Sequence, residues 1–146
     1  MIKRFLAVLI MILISSSMNS QIKELEEGVD FKLVDKVPVA NGCNKNWSNE
    51  DLRICFTKYV SNTIVQNVSN SFLQNQGLEP GSHRINVIFA IDEKGRISDI
   101  RTDSDNRKID KHLIKAVKSI EKMDPGLLDG KAVKILYSLP IAFKIV

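Results

Sequence analysis

The side chains best equipped for chemistry in this chain of 146 residues are Cys43 and Cys55, His83 and His112, and the aspartates Asp99, Asp103, Asp105 and Asp110. Two thiols can bridge, shuttle electrons or ligate a metal. A redox pair would sit in a CxxC motif, which the sequence lacks. A zinc site would need further nitrogen or sulfur ligands at short, regular intervals. Both histidines lie far from the cysteines without such spacing, so no metal site is expected. In an oxidising compartment, thiols twelve positions apart pair most simply as a disulfide, Cys43–Cys55. The stretch DSDNRKID sets acids at alternating positions like a calcium loop, but it has no glycine at the sharp turn and no closing glutamate. A hairpin-to-helix connection with a helix cap explains it better.

Catalytic patterns are missing as well. There is no GxSxG, no HExxH and no glycine-rich phosphate loop, so nucleophilic, metallohydrolase and nucleotide chemistry all lack a signature. His112 projects beside the apolar stripe of a helix and reads as a packed or half-exposed residue, and His83 as a loop or strand-edge residue. The sequons NWS and NVS carry no functional argument, since the second falls within an expected helix. The sequence therefore predicts no enzyme, no cofactor and no small-molecule substrate, which leaves binding or scaffolding.

The amino terminus suggests where such a protein works. Lys3 and Arg4 precede ten apolar residues, Phe5 to Ile14, followed by small polar ones. Ten helical residues rise only about 15 Å, half of a hydrocarbon core, so residues 1–20 read as a secretory signal peptide with cleavage between Ser17 and Gln21. An uncleaved membrane anchor is the rival reading, should the apolar segment run on past Ser15 to Met18. Removing two basic residues leaves 19 basic against 17 acidic, a net charge of +2. That is too mild to point to nucleic acid or an anionic membrane. Lys108, Lys111, Lys115, Lys118 and Lys122 read as the wet face of a helix rather than a binding patch.

The elements follow from periodicity. Residues 21–35 read as a linker able to add a short strand at its end, and residues 36–146 as one domain. Ser48 can cap a helix whose first turn carries Glu50 and Asp51. Leu52, Cys55, Phe56, Tyr59 and Val60 share one side of it. The angular drift of Ile64, Val68 and Phe72 predicts a bend or second helix near Ser61 to Thr63. LEPGS ends the helical region. Ile85, Val87, Phe89 and Ile91 alternate into the turn DEKG, and Ile97 and Ile100 return as the second arm of a hairpin. Asn106 or Asp105 can cap a further helix with the stripe Ile109, Leu113, Ala116, Val117 and Ile120, which DPGLLDG terminates. The expected fold is α+β, a three-stranded antiparallel sheet with two or more helices packed on one face.

The tail KAVKILYSLPIAFKIV is harder to place. Its odd positions from Val133 to Ile145 are apolar, the period of a half-buried strand, yet Pro140 interrupts it and has no N–H for a ladder. The run would reach over about 40 Å, longer than a usual strand, so part of it is expected to be surplus to pairing within the chain.

VPVANGC at 37–43, Cys55-Phe56, VIFAIDEKGRISDI at 87–100 and PGLLDGKAVKILYSLPIAF at 125–143 together resemble the TonB C-terminal domain, above all the cysteine-containing versions in exported proteins of the Bacteroidetes type. The resemblance covers residues 36–146. It implies a periplasmic module that adds a strand to the TonB box of an outer-membrane transporter. The expected partner is thus a TonB-dependent transporter or another envelope protein. The partner-strand edge would be Tyr137, Ser138, Leu139, Pro140, Ile141, Ala142, Phe143, Lys144 and Ile145, with Lys134 and Lys144 discouraging indiscriminate aggregation. Departures matter too. A full energy transducer would have a membrane span and a long proline-rich segment, whereas four prolines occur here, and Glu121 stands where the family often has proline. The alternatives are an autonomous structural module, including a homodimer through the terminal strand, and an anchored energy transducer if the N-terminal segment is retained.

Overall fold

The computed structural model describes residues 28–146, so the expected signal peptide and the first part of the linker lie outside the described residues. Its elements in chain order are β1 (Val29–Asp30), α1 (Asn49–Asn67), α2 (Asn70–Gln74), β2 (Gly81–Ile91), β3 (Ile97–Thr102), α3 (Arg107–Lys118), β4 (Leu127–Leu128), β5 (Lys131–Ala132) and β6 (Ile135–Ile145). The class is the expected α+β. The main sheet, however, has four strands in the order β1-β6-β2-β3, because β1 pairs in parallel with Ile135 and Leu136. A separate ribbon, β4-β5, precedes β6.

Helix α1 begins where a side chain can satisfy an orphan amide: Ser48 Oγ accepts from the Asp51 amide at 3.1 Å. Leu52, Phe56, Val60 and Ile64 then recur every fourth residue and are all buried. That stripe keeps the helix unbroken through the expected bend at Ser61 to Thr63, and the break comes at Val68 instead. There Ser69 Oγ accepts from the Phe72 amide and starts α2. Helix α3 is capped by Asn106, whose Oδ1 accepts from the amides of Lys108 and Ile109. It buries Ile109, Leu113, Ala116 and Val117 and leaves Lys108, Lys111, Lys115 and Lys118 in water as expected, whereas Lys122, also exposed, lies beyond the end of the helix.

The hairpin closes through Asp92, whose carboxylate accepts from the Lys94 and Arg96 amides. Its Gly95 has φ +79°, and a Cβ there would lie 1.7 Å from the Met123 carbonyl oxygen, so only glycine lets the turn touch that backbone. On β3 one extra residue makes a bulge at Asp99, with φ +50°.

The core lies between one sheet face and the helices. Val87, Phe89 and Ile91 of β2 and Ile135, Tyr137 and Leu139 of β6 meet the buried stripes of α1 and α3. Phe31, Phe56 and Tyr137 form a cluster with ring centroids 4.8–4.9 Å apart. Phe31 and Val34 are thus core residues, so the described end of the stretch read as a linker is packed rather than free. Arg53 holds it down by donating to the carbonyls of Phe31, Lys32 and Val34. Cys43 and Cys55 are joined, with sulfurs 2.01 Å apart, and tie the segment before α1 to the helix.

Candidate functional site

The tail does not outrun its partner. All eleven residues of β6 pair with the eleven of β2, from Ile135↔Ile91 to Ile145↔Gly81. The sequence reading placed the start of the hairpin at Ile85, whereas β2 begins at Gly81 and absorbs the whole length. His83 therefore sits inside β2, stacked on Phe143 at 5.5 Å with Nε2 2.7 Å from the Glu79 carbonyl. His112 stacks on Phe72 at 4.0 Å.

What remains available is the outer side of β6, and Pro140 shows which residues own it. Pro140 lies opposite Asn86. The Asn86 amide donates to Asp103 Oδ1 at 2.7 Å, and its carbonyl accepts from the Asp103 amide at 3.2 Å. The main-chain groups of Asn86 therefore point toward β3, and Asn86/Pro140 is a non-hydrogen-bonded pair of the β2–β6 ladder. The missing N–H of Pro140 consequently faces away from β2, where no ladder bond is lost. By the same alternation, Leu136, Ser138, Pro140, Ala142 and Lys144 turn their main-chain groups outward.

Both ends of this row are occupied. The Phe31 amide donates to the Leu136 carbonyl at 3.0 Å. At the far end, Gln74 Nε2 donates to the Lys144 carbonyl at 2.8 Å, and the Val146 amide donates to Gln74 Oε1 at 3.1 Å. Between these stops, Ser138 N–H and C=O, Pro140 C=O and Ala142 N–H and C=O face outward with no hydrogen-bond partner among the described residues.

The predicted nine-residue edge thus resolves into two sets. Tyr137, Leu139, Ile141, Phe143 and Ile145 spend their main-chain groups on β2 and turn their side chains toward the helices, with Tyr137, Leu139 and Ile145 buried. Ser138, Pro140, Ala142 and Lys144 present both backbone and exposed side chains. Lys134 is not a guard of this edge. It precedes β6 and reaches across β2 to an ion pair with Asp99 at 2.6 Å, which holds the Asp99 carboxyl below the usual range.

Helix α1 runs beside the edge. Tyr137 donates its hydroxyl to Thr57 Oγ1 at 3.1 Å, and burial of the ring raises its pKa, with that bond acting in the opposite direction. The i+4 spacing from Thr57 carries the same side of α1 through Ser61 to Val65, which is 66% exposed. Gln74 and Arg53 escaped the sequence reading because a glutamine near a helix end and an arginine on a helix carry no periodic signal. Among the described residues no cluster of His, Cys, Asp or Glu could hold a metal, and no helix is long and apolar enough to cross a membrane.

A small helix-backed sheet with a bounded open margin defines a class of α+β module that can recognise an extended chain through its backbone. Residues 82–145 match the sequence model of the Gram-negative bacterial TonB protein C-terminal. No curated protein matches the chain. Among solved structures, the NMR solution structure of the Helicobacter pylori TonB C-terminal domain is similar, at 21% identity and a TM-score of 0.44, covering 70% of this chain and 88% of that one. The matched segment runs from β2 to β6, so the likeness to the TonB C-terminal domain is carried by that part of the chain. Such domains are protein-interacting, transport-associated modules of the cell envelope. The disulfide, α1 and α2 lie before the matched segment.

Proposed function

We propose that this protein is exported to the periplasm and acts there as a binding module that accepts an extended segment of a TonB-dependent outer-membrane transporter as an added strand on β6. The observation supporting this reading is the row of outward main-chain groups on Ser138, Pro140 and Ala142, which have no partner among the described residues. Strand addition takes affinity from backbone hydrogen bonds and selectivity from alternate side chains. One set of partner side chains would lie toward Ser61 and Val65, where apolar surface is exposed, and the other on the opposite face beside Pro140 and Lys144. Pro140 leaves one donor missing in mid-edge, which weakens pairing with arbitrary strands while preserving the acceptor.

Titration of TonB-box peptides into the isotopically labelled protein tests the reading. Millimolar peptide is expected to shift the Ser138 and Ala142 amides well before those of Tyr137 and Leu139, which face β2. Absence of edge-specific shifts at that concentration would remove the transporter-binding role.

A further inference from the structure

We infer that the Gln74 side chain is a built-in stop that sets the length and register of any strand added to β6; the inference rests on the strand-addition reading above. Gln74 ends α2, a helix that lies before the segment matched to the TonB C-terminal family, so this contact belongs to the chain's own N-terminal portion. Its primary amide has a carbonyl acceptor and two N–H donors, one of which reaches Asn70 Oδ1 at 3.3 Å, so the other N–H and the carbonyl can offer the pair that a strand residue offers. Both are used as a strand would use them: Nε2–H to the Lys144 carbonyl and Oε1 to the Val146 amide. The side chain also accepts no competing strand, since an incoming backbone cannot bond to Lys144 C=O or Val146 N–H while the glutamine holds them. At the other end, the Phe31 amide on the Leu136 carbonyl plays the same part.

The window between the two stops runs from the Ser138 amide to the Lys144 amide. In an antiparallel ladder it accommodates a segment of about five residues, about 16 Å long. Two positions opposite Ser138 and Ala142 can exchange both hydrogen bonds, and the position opposite Pro140 can only donate. The occupant that fits is therefore a short extended segment whose chain departs from the sheet before reaching Val146. Longer strands gain nothing from their extra residues unless Gln74 swings away.

The test compares TonB-box peptides of about five and about nine residues on the wild type, on Gln74→Ala and on Gln74→Glu, following backbone amide shifts. On the wild type, both peptides are expected to bind within about twofold of each other, with shifts ending at Lys144. On Gln74→Ala, the long peptide's shifts should extend to Val146, and it should bind about fivefold to tenfold more tightly than the short one, as one or two added hydrogen bonds imply. Gln74→Glu keeps the acceptor for Val146 but loses the donor to Lys144, so it should extend the contact only to the Lys144 carbonyl, and it supplies the comparison should the alanine variant disturb α2. Wild-type shifts already reaching Val146, or identical footprints on all three proteins, would overturn the stop. Binding of neither peptide to any of them would instead defeat the strand-addition reading itself and the stop with it.

Discussion

Tyr137 joins the core to the candidate edge. Its ring packs between Phe31 and Phe56, while its hydroxyl reaches out to Thr57 on the side of α1 that borders the open margin. Removing that hydroxyl in Tyr137→Phe leaves the ring packing intact and deletes one part-buried hydrogen bond. Stability is expected to fall by about 0.5–1.5 kcal/mol, read as a lower urea midpoint at unchanged slope. The same variant has a pH signature. Burial raises the folded pKa of Tyr137 above its ordinary value of 10.0, so its stabilising contribution is complete below that value and is lost as pH rises through the folded pKa. Alkaline destabilisation should therefore be smaller in Tyr137→Phe than in the wild type. Gln74 shows what one residue does without any sequence signature. Neither its type nor its neighbours set it apart, and only the fold brings it to Lys144, seventy positions away.

Among the elements, α1 depends most on contacts outside the family-matched segment. Arg53 clamps the chain that follows β1 onto it, and the Cys43–Cys55 bridge closes a loop of twelve positions at its first turns. Reduction of the bridge, or the paired change Cys43→Ala with Cys55→Ala, is expected to lower stability by about 2–4 kcal/mol, measured by thermal unfolding with and without reductant. The elements were largely legible in the sequence because each carries a local signal. Ser48 and Asn106 cap, Phe89 and Ile91 alternate, and Ile109, Leu113 and Ala116 repeat at helical spacing. A short strand toward the end of residues 21–35 was expected, but not its exact place or its parallel pairing with β6, because two residues carry no period. The helix break was misplaced by several residues because angular drift accumulates smoothly in a straight helix whose buried stripe winds with it. The length of β2 was missed because Ser82, His83 and Arg84 are not apolar, and pairing with β6 rather than burial extends the strand there.

For the whole molecule, three surface carboxylates link folding to pH. The amides of Arg96 and Lys94 lower the pKa of Asp92 against the opposing effect of burial, the ion pair with Lys134 lowers that of Asp99, and the Asn86 amide and side chain lower that of Asp103. All three folded values lie below the ordinary 3.8. Their stabilising effect is therefore present above that pH and is lost as pH falls through the folded values. Urea midpoints are expected to hold from neutrality to about pH 5 and to drop below about pH 4, with the Asp99–Lys134 part weakened by salt. A flat profile down to pH 3 would contradict these assignments. Asp103 has a second role at this scale: by engaging Asn86 it fixes the alternation that turns Pro140 outward.

Sequence alone determined the α+β class, the caps, the apolar faces and the terminal strand, because these depend on periodicities and turn residues that neighbours in the chain carry together. It also marked Pro140 as an anomaly without saying which side of the strand would tolerate it. Tertiary structure decided that point, along with the fourth strand, the full β2–β6 pairing and the two stops at Leu136 and Lys144. The physical reason is that alternation fixes which residues share a direction but not what lies in that direction. Only the docking of Asn86 on Asp103, of Phe31 on Leu136 and of Gln74 on Lys144, each between segments distant in sequence, divides β6 into one occupied side and one available side.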